Sequence, residues 1–222
     1  MNWTDQVDNY CERTDFTYWS EPINAVTNIA FLIAAFVIWQ IARRSGRMEP
    51  GIAALMLVLT AIGIGSFLFH THATGWAGAL DVLPILFYIL IYIYLATTRM
   101  LDLPIWAGAL AVLLFFPYAA ATGAAIGALT GGLNGSEGYA PVVILIAIYG
   151  VILRNRKPMT SRGLLIGAGI LFVSLTFRTV DELVCSAIPL GTHWLWHGLN
   201  GLMLGWMILV MMRHDTDNPR LK

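Results

Sequence analysis

Seven apolar runs, most of them about twenty residues long and separated by short polar or basic connections, constrain this chain more than any other feature. A helix rises about 1.5 Å per residue, so roughly twenty apolar residues cross about 30 Å of hydrocarbon. The runs fall at about 22–42, 51–70, 79–98, 104–122, 139–153, 162–182 and 192–212. In lipid the backbone must satisfy its own hydrogen bonds, which leaves helices as the economical reading of such runs. Composition agrees: the chain is 58% hydrophobic and 12% charged, with mean hydropathy +0.70, far too apolar for a water-soluble domain of this size. The expected fold class is therefore all-α, an integral membrane bundle of seven transmembrane helices.

Pro22 suits the first turn of the first helix, where a missing N–H costs nothing. Pro117 is expected to kink the fourth. The Gly-rich stretch 123–138 reads equally as an extended loop, a helix extension or a partly re-entrant segment. Residues 1–21 hold five acids, one Arg and no apolar core, so they are expected to remain as a polar N-terminal cap and not to serve as a signal peptide. The domain reading is a cap (1–21), a seven-helix catalytic domain (22–212) and a short tail (213–222).

Basic residues choose between the two orientations. With the N-terminus outside and the C-terminus inside, Arg43, Arg44, Arg47, Arg99, Arg154, Arg156, Lys157, Arg162, Arg213, Arg220 and Lys222 lie inside, and only Arg13 and Arg178 outside. That partition brings His70, Asp81, His193 and His197 to the same extracytoplasmic end, where Asp181 and Glu182 also fall. Ionisable groups at membrane depth are costly and usually face the bundle interior, so their co-location predicts a common site.

His193 and His197 are four apart and share one helical face, so both imidazoles can reach a single ion. With His70 they supply the three protein ligands of a catalytic zinc site, which keeps a position open for water. Ser66 stands one turn before His70 and can hydrogen-bond an oxyanion; the alternative is a bond back to the carbonyl of Ile62. Asp81 can act as general base or orient a ligand imidazole; the alternative is a charge placed at a helix N-terminus for its dipole. His72 is expected in a loop, His214 at the opposite end, and Asp181 and Glu182 in ion pairs with Arg178.

These residues resemble the alkaline ceramidase family, part of a wider group of seven-helix membrane hydrolases that includes the adiponectin-receptor relatives. The resemblance spans most of the chain and rests on Tyr10-Cys11-Glu12, Glu21 with Asn24, Gly65-Ser66 with Phe69-His70, Asp81 with Leu83-Pro84, and His193 with Trp196-His197. It implies zinc on His70, His193 and His197, with Ser66 and Asp81 beside it, and hydrolysis of a ceramide amide to a sphingoid base and a fatty acid. It further implies a calcium site in the cap, for which the matching positions are Asp8 or Asn9, Tyr10 through its carbonyl, Glu12, Thr14 and Glu21. The family's Asp-Trp-Cys-Glu reads Asn9-Tyr10-Cys11-Glu12 here, Thr14 stands for an Asn, and Asp-Glu-Leu-Pro reads Asp81-Val82-Leu83-Pro84.

A family-like disulfide between Cys11 and Cys185 is expected, since the topology puts both on the outer side; two unrelated buried thiols are the alternative. The expected partner is a membrane lipid, with neither nucleic acid nor an obligatory protein partner. Competing readings are a receptor-like relative with structural zinc, a hydrolase of another lipid amide or ester, and a transporter. A closed zinc shell would mark the first, and inverted repeats with paired broken helices the last.

Overall fold

The structure is a computed structural model and describes residues 2–217. The first span, Pro22–Arg44, is two helices, α1 (Pro22–Thr27) and α2 (Ile29–Arg44), meeting at Asn28. They are followed by α3 (Pro50–His72), α4 (Gly75–Leu95) with a π-helical turn Ala96–Met100, α5 (Ile105–Thr130), α6 (Ala140–Leu153), α7 (Pro158–Val180) and α8 (His193–Asp217). Seven of the resulting spans are long and apolar enough to cross a membrane. Among the described residues there is no strand, only an isolated bridge between Gln6 and Thr74.

Several boundaries are shifted from those expected, among them the start of the sixth span, which lies at Pro158 instead of 162, and the stretch left open at 123–138 is now defined. The third span starts at Gly75 instead of 79, because residues of the cap pair with its first turn: Gly75 and Trp76 donate their N–H groups to Asp5 and Trp3. Asp81 therefore lies nearly two turns inside α4, beyond the reach of a first-turn dipole effect. The Gly-rich stretch divides, its first part extending α5 to Thr130. The remainder turns through Gly131, Gly132, Asn134 and Gly135 in the left-handed region and then forms the 3-10 turn Ser136–Gly138. His72 closes α3 and is not a loop residue. Helix α8 runs to Asp217, so the predicted tail begins as helix, and residues 218–222, with Arg220 and Lys222, lie outside the described residues.

Helix α8 is central, packing against α7, α2, α3 and α1, whereas α5 sits at the margin against α4 and α6. Two-thirds of the most apolar stretch of α8 is buried (67%) against 11% for that of α5, although α5 is the more apolar of the two. Large side chains such as Leu57, Leu113 and Phe172 point away from the bundle, as lipid-facing residues do. The interior below the site is filled by Phe31, Leu55, Leu59, Ile62, Met207 and Ile208. Alternation of spans gathers Arg43, Arg44, Arg47, Arg99, Arg154, Arg156, Lys157 and Arg213 at one end of the bundle. The end of α3, the start of α4 and the start of α8 meet at the other, beneath the cap.

Candidate metal centre

His70 comes from the last turn of α3, and His193 and His197 from the first two turns of α8. All three are buried, and one ring nitrogen of each lies within 4.8 Å of the others. Ring centroids are 5.1 Å apart for His70 and His193, 4.7 Å for His70 and His197, and 4.6 Å for His193 and His197. His70 Nε2, His193 Nδ1 and His197 Nε2 have no hydrogen-bond partner. A buried polar atom left unpaired costs on the order of 1–3 kcal/mol, so three such atoms, one on each ring of the cluster, fit a shared cation.

The opposite edges of two rings are held in the tautomer that ligation requires. His70 Nδ1 donates to Glu21 Oε2 at 2.6 Å. Thr27 Oγ1 donates to the Ile23 carbonyl at 2.8 Å and so is left to accept from His197 Nδ1, at 3.0 Å. Each contact directs the Nε2 lone pair of its imidazole inward. The third ring, His193, stacks on Tyr10 with centroids 3.8 Å apart. Burial raises the Tyr10 pKa and keeps its phenol neutral beside the site. Burial also works against the charge of Glu21, but the hydrogen bond from His70 and the charge of Arg13 hold that carboxyl below the usual glutamate range.

The position of His193 is set by an anion at the α8 N-terminus. Asp181 is wholly buried; its Oδ1 accepts the N–H groups of Thr192 (2.6 Å) and His193 (2.8 Å), and its Oδ2 accepts that of Cys11 (3.1 Å). The Thr192 and His193 groups are unpaired donors of a helix start, matched by a carboxylate. Gly191 makes room: its φ is +60°, and a Cβ there would lie 2.1 Å from Asp181 Oδ1. The expected ion pair between Asp181 and Arg178 is replaced by this cap, and Arg178 turns instead to the Asn134 carbonyl (2.8 Å) and Ser136 Oγ (2.9 Å). Cys11 is joined to Cys185, with Cα atoms 5.1 Å apart, which ties the cap to the α7–α8 connection.

Ser66 and Asp81 meet where α3 and α4 come closest. Pro84 has no N–H to return to the Leu80 carbonyl, and Gly65 packs directly on that oxygen. The approach sets the Ser66 hydroxyl against the Asp81 carboxylate. Asp81, Asn9, Tyr10, Tyr139, Arg178 and His193 border a cavity of about 280 Å³. Ser66 is buried beside Asp81. Through Ile85, Tyr139 and Trp196 this cavity adjoins a second, narrow and almost wholly apolar one, which descends between α4, α6, α7 and α8 past Tyr88, Tyr92 and Leu164.

The candidate calcium ligands do not gather in the same way. Glu12 caps α1, accepting the N–H groups of Ile23 (2.7 Å) and Asn24 (2.8 Å), and burial raises its pKa despite those bonds. Glu21 is engaged by Arg13, His70 and Asn24. The Tyr10 carbonyl accepts the Arg13 N–H, and Asp8, Asn9 and Thr14 are exposed. Among the described residues, the three histidines are the one group of His, Cys, Asp or Glu placed to hold an ion. The cap does not present a donor set that fits calcium.

Sequence reasoning thus located the triad but assigned Glu21 to calcium and paired Asp181 with Arg178, and it passed over Thr27 and Tyr139. Only Glu21 carried a local signal, its place immediately before the Pro that starts α1. A comparison with curated proteins finds no match for this chain. The family model described as Ceramidase matches residues 4–220, which include the triad, most of the cap and all seven spans. A match over nearly the whole length makes this chain a member of the ceramidase family.

Proposed function

We propose that this protein is a zinc-dependent membrane amidase that hydrolyses ceramide-like N-acyl sphingolipids to a sphingoid base and a fatty acid. Membership of the ceramidase family supports hydrolysis of a lipid amide in general. The zinc reading is carried by one observation, three buried histidines clustered within ligand distance of one another, each with a partnerless imidazole nitrogen. Three neutral nitrogen ligands are the donor set of catalytic zinc sites and leave a coordination position open. When bound there, zinc would polarise the amide carbonyl and lower the pKa of water at that open position.

The remaining work falls to residues of the chain. Asp81 lines the cavity beside His193 and takes the proton of the attacking water, then passes it to the departing amine nitrogen. Ser66 donates to the Asp81 carboxylate at rest; once Asp81 is protonated, the hydroxyl is released to donate to the oxyanion. Glu21 and Thr27 keep His70 and His197 aimed, and Tyr10 covers His193. The apolar cavity beside the polar one suits a long acyl or sphingoid chain, whose amide is then at the level of Asp81 while the tail stays in an apolar medium. The bias of basic residues supports an extracytoplasmic position for the site, reached from the outer leaflet.

The test is hydrolysis of a panel of N-acyl lipids by the full chain in lipid nanodiscs, before and after zinc removal. Release of a sphingoid base from ceramide that stops on chelation and returns with zinc is the expected result. A metal-replete protein that cleaves no N-acyl lipid would favour the receptor-like reading.

A further inference from the structure

One cation is buried inside the cap. Arg13 is 5% exposed, and its guanidinium donates in three directions: Nε to Glu21 Oε1 (2.5 Å), Nη1 to the Asp15 carbonyl (3.1 Å) and Nη2 to the His70 carbonyl (3.0 Å). Two of these contacts converge on the same metal-ligand residue. The His70 backbone is held directly, and its ring is held through Glu21, whose second oxygen accepts from His70 Nδ1 at 2.6 Å and from Asn24 Nδ2 at 3.1 Å. A buried guanidinium and carboxylate are tolerated only when both are well bonded, and here each is. The acceptors on Arg13 are a carboxylate and two backbone carbonyls, the hard oxygens that a divalent cation of the calcium type also selects. A guanidinium among them leaves no place for a second cation on the same oxygens.

We propose that Arg13 is the resident cation of the cap, a positioning residue that clamps His70 by backbone and ring and so orders the metal centre without a calcium ion. The inference rests on the reading of the histidine triad as a zinc site. Arginine suits the task because its planar, permanently charged head makes three divergent bonds that an ammonium group cannot reproduce together. Removing it would leave Glu21 buried without its cation and free the carbonyl side of His70.

The experiment measures zinc content, the rate of zinc transfer to a chromogenic chelator and the thermal midpoint of the full chain in nanodiscs, for the wild type, Arg13→Lys and Arg13→Gln. Each is run in buffer freed of calcium over a chelating resin before the protein is added, and in the same buffer with millimolar calcium. The wild type is expected to bind one zinc with the same transfer rate and midpoint in both solutions. Arg13→Gln should weaken zinc about 10–100-fold, the usual effect of losing an outer-sphere partner, and Arg13→Lys should recover part of that loss. A wild-type midpoint or zinc affinity that rises with calcium would overturn the proposal, as would an Arg13→Gln chain with undiminished zinc affinity. If Arg13→Gln does not fold, the calcium response of the wild type and the zinc affinity of Arg13→Lys still decide. A wild type that binds no zinc removes the zinc reading and this proposal together; zinc binding that is indifferent to Arg13 removes this proposal alone.

Discussion

Gly65 of α3 rests on the carbonyl of Leu80 in α4 so closely that a methyl group at position 65 would lie 2.0 Å from the oxygen and 2.7 Å from its carbon. Backbone cannot yield as a flexible side chain does, so Gly65→Ala must push the two helices apart. Overpacking of this kind costs about 1–3 kcal/mol. The shift would also separate Ser66 from Asp81, and a displacement near 1 Å at reacting groups can lower rates about 10²-fold. Turnover per bound zinc should fall by that order while the chain still inserts; unchanged turnover would mean that the close contact does not set the site.

Asp81→Asn and Ser66→Ala separate proton transfer from oxyanion stabilisation. The first removes the proposed proton acceptor and should cost about 10²–10⁴ in kcat. The second should cost on the order of 10²–10³. Zinc content, measured by elemental analysis on the same samples, should stay at the wild-type level in both, since neither residue belongs to the triad. Near-normal hydrolysis by Asp81→Asn of every lipid cleaved by the parent would end the general-base role.

Chelation should strip the metal and abolish activity, and His193→Ala should reproduce that state permanently, because two neutral ligands hold zinc poorly against buffer. Thr27→Val makes a finer cut. It removes the acceptor from His197 Nδ1 but leaves all three ligands in place, and it should weaken zinc about 10–100-fold. A competition titration against a chelator of known affinity checks both variants.

The Cys11–Cys185 bridge spans 174 positions and closes nearly the whole bundle into one loop. Reduction, or Cys11→Ser, should lower stability by about 2–4 kcal/mol, read as a drop in thermal midpoint. Because the Cys11 N–H also bonds Asp181, loosening the cap should speed zinc loss from His193 as well. Mass spectrometry under non-reducing conditions should find no free thiol in protein prepared from an oxidising compartment.

Asp181→Asn tests the cap on α8 directly. Asn keeps the shape, but it has one carbonyl oxygen where Asp181 has two acceptors, so it cannot accept from both Thr192 and Cys11 sides without turning an NH₂ toward a donor. A loss of about 1–3 kcal/mol is expected, with weaker metal retention than in a surface control such as Glu182→Gln. Parallel thermal and zinc-release curves for the two variants would show that Asp181 has no special hold on His193.

The seven spans were legible in the sequence because a chain in lipid must close its own backbone hydrogen bonds, and the period and length of an apolar run report that directly. The histidine triad was legible for the same reason: once the spans alternate, the end of α3 and the start of α8 must share one end of the bundle, and a spacing of four fixes His193 and His197 on one face. What only the tertiary structure decided was the choice of partners. Glu21 meets His70 across 49 positions and Arg13 across eight, and Asp181 reaches both Cys11 and His193. No periodicity records these meetings, since a carboxylate can cap a helix, bind an ion or orient an imidazole with equal chemical fitness. Which of these it does depends on the donors that packing brings within about 3 Å of its oxygens. The start of α4 at Gly75 was hidden for the same reason, because the acceptors that complete its first turn, Trp3 and Asp5, belong to a segment some seventy residues earlier in the chain.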